Sequence, residues 1–297
     1  MKKNTKIALF LVSTFLVLGM ITLNSCKKDE SLPKIDGYDN SDQVAATYLK
    51  AHWTFDDTYD EAISSTAPEN KYGGYAFSTG QIGKALDLTA GALVYPSIAN
   101  IGAANSIGDF TVSSWVKISN NGTGFTSLFG IIPTAATDVW GNIGLNFETG
   151  WKPASCDTIV PKANYLSKNE DGSLNGQDNR PNPFDAVPVG IFKQGGKWCF
   201  VTIRFNSSTH KLQVFGNGVS IGAWDDRGTN TVALNMRVPC KAVIGSLASS
   251  DIGFTDAGVR GDWMPMATAS VDDLRVFNTA ISDADITALY NLGVAGR

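Results

Sequence analysis

Glutamate is scarce in this chain: five occur, Glu30, Glu61, Glu69, Glu148 and Glu170. Hydrolysis of a glycosidic bond calls for two carboxylic acids held across the scissile bond. On a strand, such acids have to recur at alternate positions to face one cleft. No two of the five glutamates stand two, four or five residues apart, and Glu148, in Asn146-Phe-Glu-Thr-Gly150, has no acidic partner along its own strand. Asp272 and Asp273 are adjacent, which in a regular strand sends their side chains to opposite faces. Histidine occurs twice, as His52 and His210, and neither forms a nucleophile motif with any serine. Basic residues are outnumbered, 24 against 28 acids, so electrostatics gives no case for a nucleic-acid partner. The four cysteines, Cys26, Cys156, Cys199 and Cys240, fit no metal-binding spacing.

The start of the chain is of a different kind from the rest. Lys2, Lys3 and Lys6 precede an apolar run from Ile7 to Leu23, broken only by Ser13, Thr14, Gly19 and Thr22. A run of this length is at the lower limit for spanning a bilayer. It ends in Leu23-Asn-Ser-Cys26, which resembles the signal of bacterial lipoproteins, cleaved before a cysteine that then carries lipid. The alternatives are a signal anchor or an ordinary secretory peptide. On the lipoprotein reading, residues 1–25 are removed, Cys26 is the lipidation site, and the mature chain is tethered to a membrane without crossing it. Lys27-Lys-Asp-Glu30 resembles the export tag that sends lipoproteins of gut Bacteroidetes to the outer face of the outer membrane. The polar stretch up to residue 47, with Pro33 and Gly37, reads as a flexible tether. Loss of the first 25 residues removes three lysines and no acids, leaving 21 basic against 28 acidic residues, a charge of −7.

About 250 residues then remain, enough for one large β-domain over 48–297. In Tyr48 to Asp57, Leu49, Ala51, Trp53 and Phe55 alternate with Tyr48, Lys50, His52 and Thr54, the pattern of a strand with one buried face. More than two hundred residues later, Ser270-Val-Asp-Asp-Leu-Arg-Val-Phe277 is a second such strand, and the two ends are expected to pair. Between them lie Gly80-Gln-Ile-Gly-Lys-Ala-Leu86, the strand Asp109-Phe-Thr-Val-Ser-Ser-Trp-Val-Lys117, the strand Trp198 to Phe205, and Lys211-Leu-Gln-Val-Phe215 followed by a Gly216-Asn-Gly218 turn. Ser282 and Asp285 form a capping-box-like pair ahead of Ile286, Leu289 and Tyr290, so a helix is expected over 282–292.

This ordered set, from Trp53-Thr-Phe-Asp56 through the Gly80 segment to the final strand and helix, resembles the concanavalin A-like lectin/glucanase superfamily in its laminin-G-like branch. The resemblance implies an all-β fold, an antiparallel jelly-roll β-sandwich with a short C-terminal helix. The Glu-x-Asp-x-x-Glu strand of its laminarinase-like members is missing. It further implies a calcium site carried over onto Asp56 and Asp272, with Asp57 and Asp273 as further candidates because the doubled acids blur the register; calcium takes several oxygen ligands. The alternative is that these aspartates cap turns or pair with Arg275 and nearby amides.

Cys199 falls in phase with Val201, Ile203 and Phe205 and reads as a core residue, leaving Cys156 and Cys240 as the candidate disulfide. Residues 149–196 lack a hydrophobic period and read as a long insertion, either a specificity loop or plain surface. Seven tryptophans are present; Trp53 and Trp115 belong to strands and read as core. Trp140, Trp151, Trp224 and Trp263 adjoin glycines or polar turns, and with Asp225 they are the candidate ligand-binding residues, since sugars are held by aromatic faces and nearby amides or carboxylates. The expected function is a non-catalytic, surface-anchored carbohydrate-binding lipoprotein that holds polysaccharide. The alternatives are an adhesion module with a protein partner and a divergent glycosidase.

Overall fold

The computed structural model describes residues 32–225 and 233–297. Cys26, the signal segment and the residues that immediately follow Asp225 lie outside the described residues. The chain divides into two units, Met1–Pro33 and Lys34–Arg297, and every strand and helix described belongs to the second.

Among the described residues thirteen strands form: β1 (Leu49–Trp53), β2 (Asn70–Thr79), β3 (Lys84–Val94), β4 (Phe110–Lys117), β5 (Thr126–Pro133), β6 (Ile143–Phe147), β7 (Pro161–Lys168), β8 (Leu174–Asn179), β9 (Trp198–Asn206), β10 (Lys211–Gly216), β11 (Val219–Asp225), β12 (Cys240–Ile244) and β13 (Ala267–Phe277). A single helical turn, α1 (Ala99–Gly102), follows β3, and α2 (Asp283–Val294) closes the chain. The hydrogen-bonded order is β11-β10-β9-β4-β13-β3-β12-β5-β6-β7-β8, with antiparallel pairing throughout. β3 links the two layers: its first half pairs with β13 and its last residues with β12. The layers meet face to face, with Tyr165 on β7 4.6 Å from Phe205 on β9, and Trp53 on β1 5.6 Å from Phe129 on β5. This is the expected antiparallel β-sandwich.

The ends pair as the sequence indicates: Leu49 stands opposite Phe277 and Trp53 opposite Leu274. One edge of β13 takes β3 with its first residues and β1 with its last, while β4 runs along the other edge. A bulge at Asp272 and Asp273 marks the change of neighbour, and Asp273 adopts φ 47°, a left-handed conformation that aspartate tolerates. The bulge corrects one expectation. The two carboxylates do not go to opposite faces; both line one hollow beside His52 and Asp56.

α2 starts at the Ser282–Asp285 capping box and lays Ile286, Leu289 and Leu292 on Trp115, Phe200, Phe215 and Phe277, a second apolar cluster on the outer side of β4, β9 and β10. Trp53 is in the main core, as expected, and Trp115 is buried under the helix.

Three further expectations change. Residues 34–47 are not a free tether: Val44 is buried in the α2 cluster, the Tyr38 hydroxyl donates to Asp285 Oδ1 at 2.8 Å, and Arg275 Nη2 reaches Ser41 Oγ and Asp42 Oδ1, each at 2.9 Å. The folded unit therefore begins near Lys34 rather than at 48. Cys156 and Cys240 do not form a disulfide; all three described cysteines are free, and the Cys240 thiol instead donates to Arg237 O at 2.8 Å. Cys199 is a core residue, its thiol pushed up to about 12 by burial. Finally, the 149–196 stretch is not one loop, because β7 and β8 form a hairpin within it.

A fragment that begins at Tyr48 is expected to unfold about 2 kcal/mol or more below one that begins at Leu32, because it strips Val44 from the core and Ser41 and Asp42 from a buried arginine. Urea unfolding of the two fragments followed by tryptophan fluorescence checks this.

Candidate functional site

Two places bring polar side chains together. The first is the hollow at the chain ends. Asp272 Oδ2 accepts the amides of Gln81 and Ile82, each at 2.8 Å, and Asp56 Oδ1 accepts the amide of Lys84 at 2.7 Å. The Gly80–Lys84 turn is thus held by one aspartate from each end of the chain. Gly83, at φ 62°, is required there: a Cβ would lie 2.2 Å from Asp56 Oδ1. Asp273 is committed to His52 Nε2 at 2.7 Å and to Arg275 Nε at 3.0 Å, and Asp57 to the exposed Lys84. Burial opposes the charge on Asp273, but the Arg275 guanidinium and His52 outweigh it and hold the carboxyl well below the usual range.

Asp272 behaves in the opposite way. Burial pushes its carboxyl up to about 7; the amides of Ile82 and Gln81 pull against this, while the charges of Asp273 and Asp56 add to it. Its Oδ1 is buried with no hydrogen-bond partner among the described residues. Calcium takes roughly six to eight oxygens. Here one carboxylate oxygen of Asp272 and one of Asp56 are left over from the turn, and among the described residues no three His, Cys, Asp or Glu side chains come together to hold a metal. A cation there would need those two oxygens together with backbone carbonyls and water; with no cation, burial favours a proton on Asp272. Both aspartates clamp the Gly80–Lys84 turn through its amides, a role the sequence left open.

The second place is the outer face of β6, β7 and β8. Ile143, Leu145, Phe147, Ala163 and Tyr165 take the inner positions of β6 and β7. The intervening residues, Gly144, Asn146, Lys162 and Asn164, turn outward by the two-residue period. Asn146 Nδ2 donates to Asn164 Oδ1 at 2.6 Å, and Asn146 Oδ1 has no donor among the described residues. Gly144 makes room for this pair, since a Cβ would stand 2.2 Å from Asn164 Oδ1. Lys162 is nearly buried, with its ammonium 3.2 Å from Glu148, 2.8 Å from Asp178, and over the rings of Phe125 and Trp140 at 5.5 and 5.1 Å.

Aromatic rings form the wall of this face. The ring of Trp140 is 5.3 Å from Phe125 and 5.9 Å from Trp263, which is 46% exposed. Behind Trp140 lies a cavity of about 220 Å³ lined by Asn164, Tyr165, Leu166, Gly176, Gln177 and Asp178. Trp151, 38% exposed, stacks under the Arg180 guanidinium at 4.6 Å, and Arg180 Nε is 3.4 Å from Glu148.

Of the residues singled out from sequence, Trp140 and Trp263 are therefore in contact, and Trp151 joins the same face through Arg180 and Glu148. Trp224 does not. It lies within β11, opposite Leu212, and its half-buried ring packs on the main core. The Asp225 side chain pairs with Lys211 in solvent, and only its backbone oxygen meets the sheet edge, accepting from Gln177 Nε2 at 3.0 Å. Sequence reasoning missed Phe125, Asn146, Lys162, Asn164 and Asp178. The run Lys162-Ala-Asn-Tyr165 carries the alternation that could have identified two of them; Leu174-Asn-Gly-Gln-Asp-Asn179 carries no apolar alternation at all.

No family model matches the sequence, and no curated protein matches it. Several solved structures match the fold. Domain 4 of AbnA, a GH43 extracellular arabinanase from Geobacillus stearothermophilus solved in complex with arabinotriose, superposes with a TM-score of 0.51 at 17% identity, covering 82% of this chain and 98% of that domain. The binding domain of Paraclostridial Mosquitocidal Protein 1 gives 0.52 at 13%, and that of botulinum neurotoxin serotype G gives 0.52 at 9%, each covering 82% of this chain. The chain spans about half the length of these two, 52% and 50%. At such identities the likeness is one of fold, and it carries the β-sandwich architecture.

The raised Asp272 carboxyl has a sign for stability. Its folded value of about 7 exceeds the ordinary 3.8, so the folded state holds the proton more tightly, and stability present below about pH 4 is lost as pH rises through 7. Asp272→Asn is expected to flatten the pH dependence by roughly 2–4 kcal/mol between pH 4 and 8. Urea midpoints of both proteins across that range measure it; parallel profiles would contradict a buried proton.

Proposed function

We propose that this protein is a non-catalytic glycan-binding domain, held at the cell surface through a lipid on Cys26, and that the outer face of β6–β8 is its binding surface. One observation carries the reading: two indole rings 5.9 Å apart stand beside a cavity lined by the amides of Asn164 and Gln177 and the carboxylate of Asp178. Rings take the apolar face of a sugar, and amides and carboxylates take its hydroxyls. The AbnA domain, solved with arabinotriose, makes arabinan a natural first polysaccharide to try.

The same geometry argues against hydrolysis. Glu148 and Asp178 do converge, a pair that sequence spacing hid, but both converge on Lys162. Its ammonium stands between the two carboxylates, where a glycosidic oxygen would have to be. The anchor rests on the sequence, the basic start and apolar run that end in Leu23-Asn-Ser-Cys26; among the described residues no helix is long and apolar enough to cross a membrane.

A protein partner is the second reading, supported by the edge of β2, which pairs with β3 alone among the described residues. There Tyr59, Tyr75 and Phe77 form a partly exposed cluster, stacked at 4.3 Å and edge-on at 5.7 Å, with Lys71 over two of the rings.

Affinity electrophoresis of residues 32–297 through gels containing arabinan, xylan, xyloglucan or starch tests the proposal, with calcium and with a chelator. Retardation by at least one glycan is expected, unchanged by chelation, and Trp263→Ala should weaken it roughly tenfold, on the order of 1.4 kcal/mol. Loss of retardation on chelation would assign calcium to Asp56 and Asp272. No retardation in any gel would overturn the glycan reading in favour of the β2 edge, and release of reducing ends from a retained glycan would overturn the non-catalytic part.

A further inference from the structure

A second cavity lies apart from the one beside Trp140. It is a groove of about 550 Å³ across the end of β4, the start of β13 and the middle of β3. Small-molecule sites commonly measure about 300–1,000 Å³. The groove falls within that range, and the cavity behind Trp140, at about 220 Å³, falls below it.

The groove and the ring cluster share two stretches of chain. Thr123 and Thr126 line the groove and flank Phe125; Pro265 and Met266 line it and follow Trp263. The Phe125 amide donates to Trp263 O at 2.7 Å, which ties the two stretches together. We propose that the groove continues the Trp140–Trp263 surface, so that the protein binds an extended run of a neutral polysaccharide rather than a single terminal sugar. This deepens the glycan reading and rests on it.

The lining selects for such a chain. Lys117, Ser270 and Asp87 stand in register across β4, β13 and β3, which places Lys117 and Asp87 two strand spacings apart, about 10 Å. Asp87 accepts from the Ser270 hydroxyl, and Lys117 makes no ion pair among the described residues. One ammonium faces one carboxylate, so the groove offers no net charge to favour an acidic polymer. Thr89, Asn121 and Thr123 supply hydroxyls and an amide suited to sugar hydroxyls. The floor strands are paired with one another, so no strand edge opens into the groove where a peptide could add as a further strand.

Calorimetric titration of residues 32–297 with linear arabino-, xylo- and cello-oligosaccharides of two to eight sugars tests the proposal. In the series that binds, affinity should rise roughly tenfold or more from the shortest to the longest member. Ser119 is exposed at the groove, so Ser119→Trp should fill it without disturbing the core. The variant should abolish the gain with length while leaving di- and trisaccharide affinity unchanged, whereas Trp263→Ala should weaken every length. Equal affinity of wild type and Ser119→Trp at all lengths, with matching urea midpoints, would overturn the groove and leave the glycan reading intact. Absence of binding at every length by the wild type would overturn both.

Discussion

The fold depends on the pairing of its two ends. Among the described residues β1 has one strand neighbour, the last half of β13, and the bulge at Asp272 and Asp273 is where β13 changes partner to receive it. The bulge buries Arg275, 2% exposed, with Asp273 and His52 against it. A buried ion pair of this kind adds little net stability when complete, but loss of one member strands a charge in the interior at a cost of roughly 3–5 kcal/mol. Its effect is on register. Only one alignment of β1 on β13 puts His52 on Asp273 and Trp53 in the core, and the Ser41–Asp42 segment closes over the arginine in that alignment.

Closing the sandwich at the ends leaves its middle free for other work. β6 and β7 give their apolar alternate residues to the core, and their backbone groups are satisfied by pairing with β5 and β8 on either side. The outer positions can then be polar without weakening the layer. On the neighbouring outer surface, Ile132, Val243, Ile252 and Phe254 form an apolar cluster that covers β5 and β12. Phe125, Leu247, Met264 and Trp140 carry this cover to the border of the polar face. Ring faces and amides meet at that border because an apolar cover ends beside a polar floor. This juxtaposition is the arrangement that sugar recognition uses.

Legibility in the sequence followed burial. The strands β1, β4, β9 and β10 announced themselves by the alternation of apolar with polar or aromatic residues, although their second face is largely buried as well, and α2 announced itself by its cap. Cys199 was placed by phase with its neighbours. Trp224 misled because a tryptophan beside Asp225 looks like a turn residue, while its register opposite Leu212 is fixed by a partner strand that local sequence does not reveal. The site suffered most from this. Asp178 belongs to a strand that is polar on both faces, and its pairing with Lys162 joins positions related only through the β7–β8 hairpin. The Asp56 and Asp272 pair was recognised by order along the chain, but their work, clamping the Gly80–Lys84 turn by its amides, became visible only with the geometry of the bulge.

The central claim, that the outer face of β6–β8 binds glycan, is tested most directly by amide chemical-shift mapping on isotope-labelled residues 32–297 titrated with soluble arabinan fragments and the corresponding xylan and xyloglucan fragments. The expected result is a set of shifted resonances centred on Asn146, Asn164, Gly176, Asp178 and the Trp140 and Trp263 indoles, with the β2 edge unmoved. Shifts confined to Tyr59, Tyr75 and their neighbours, or to no contiguous surface, would contradict it.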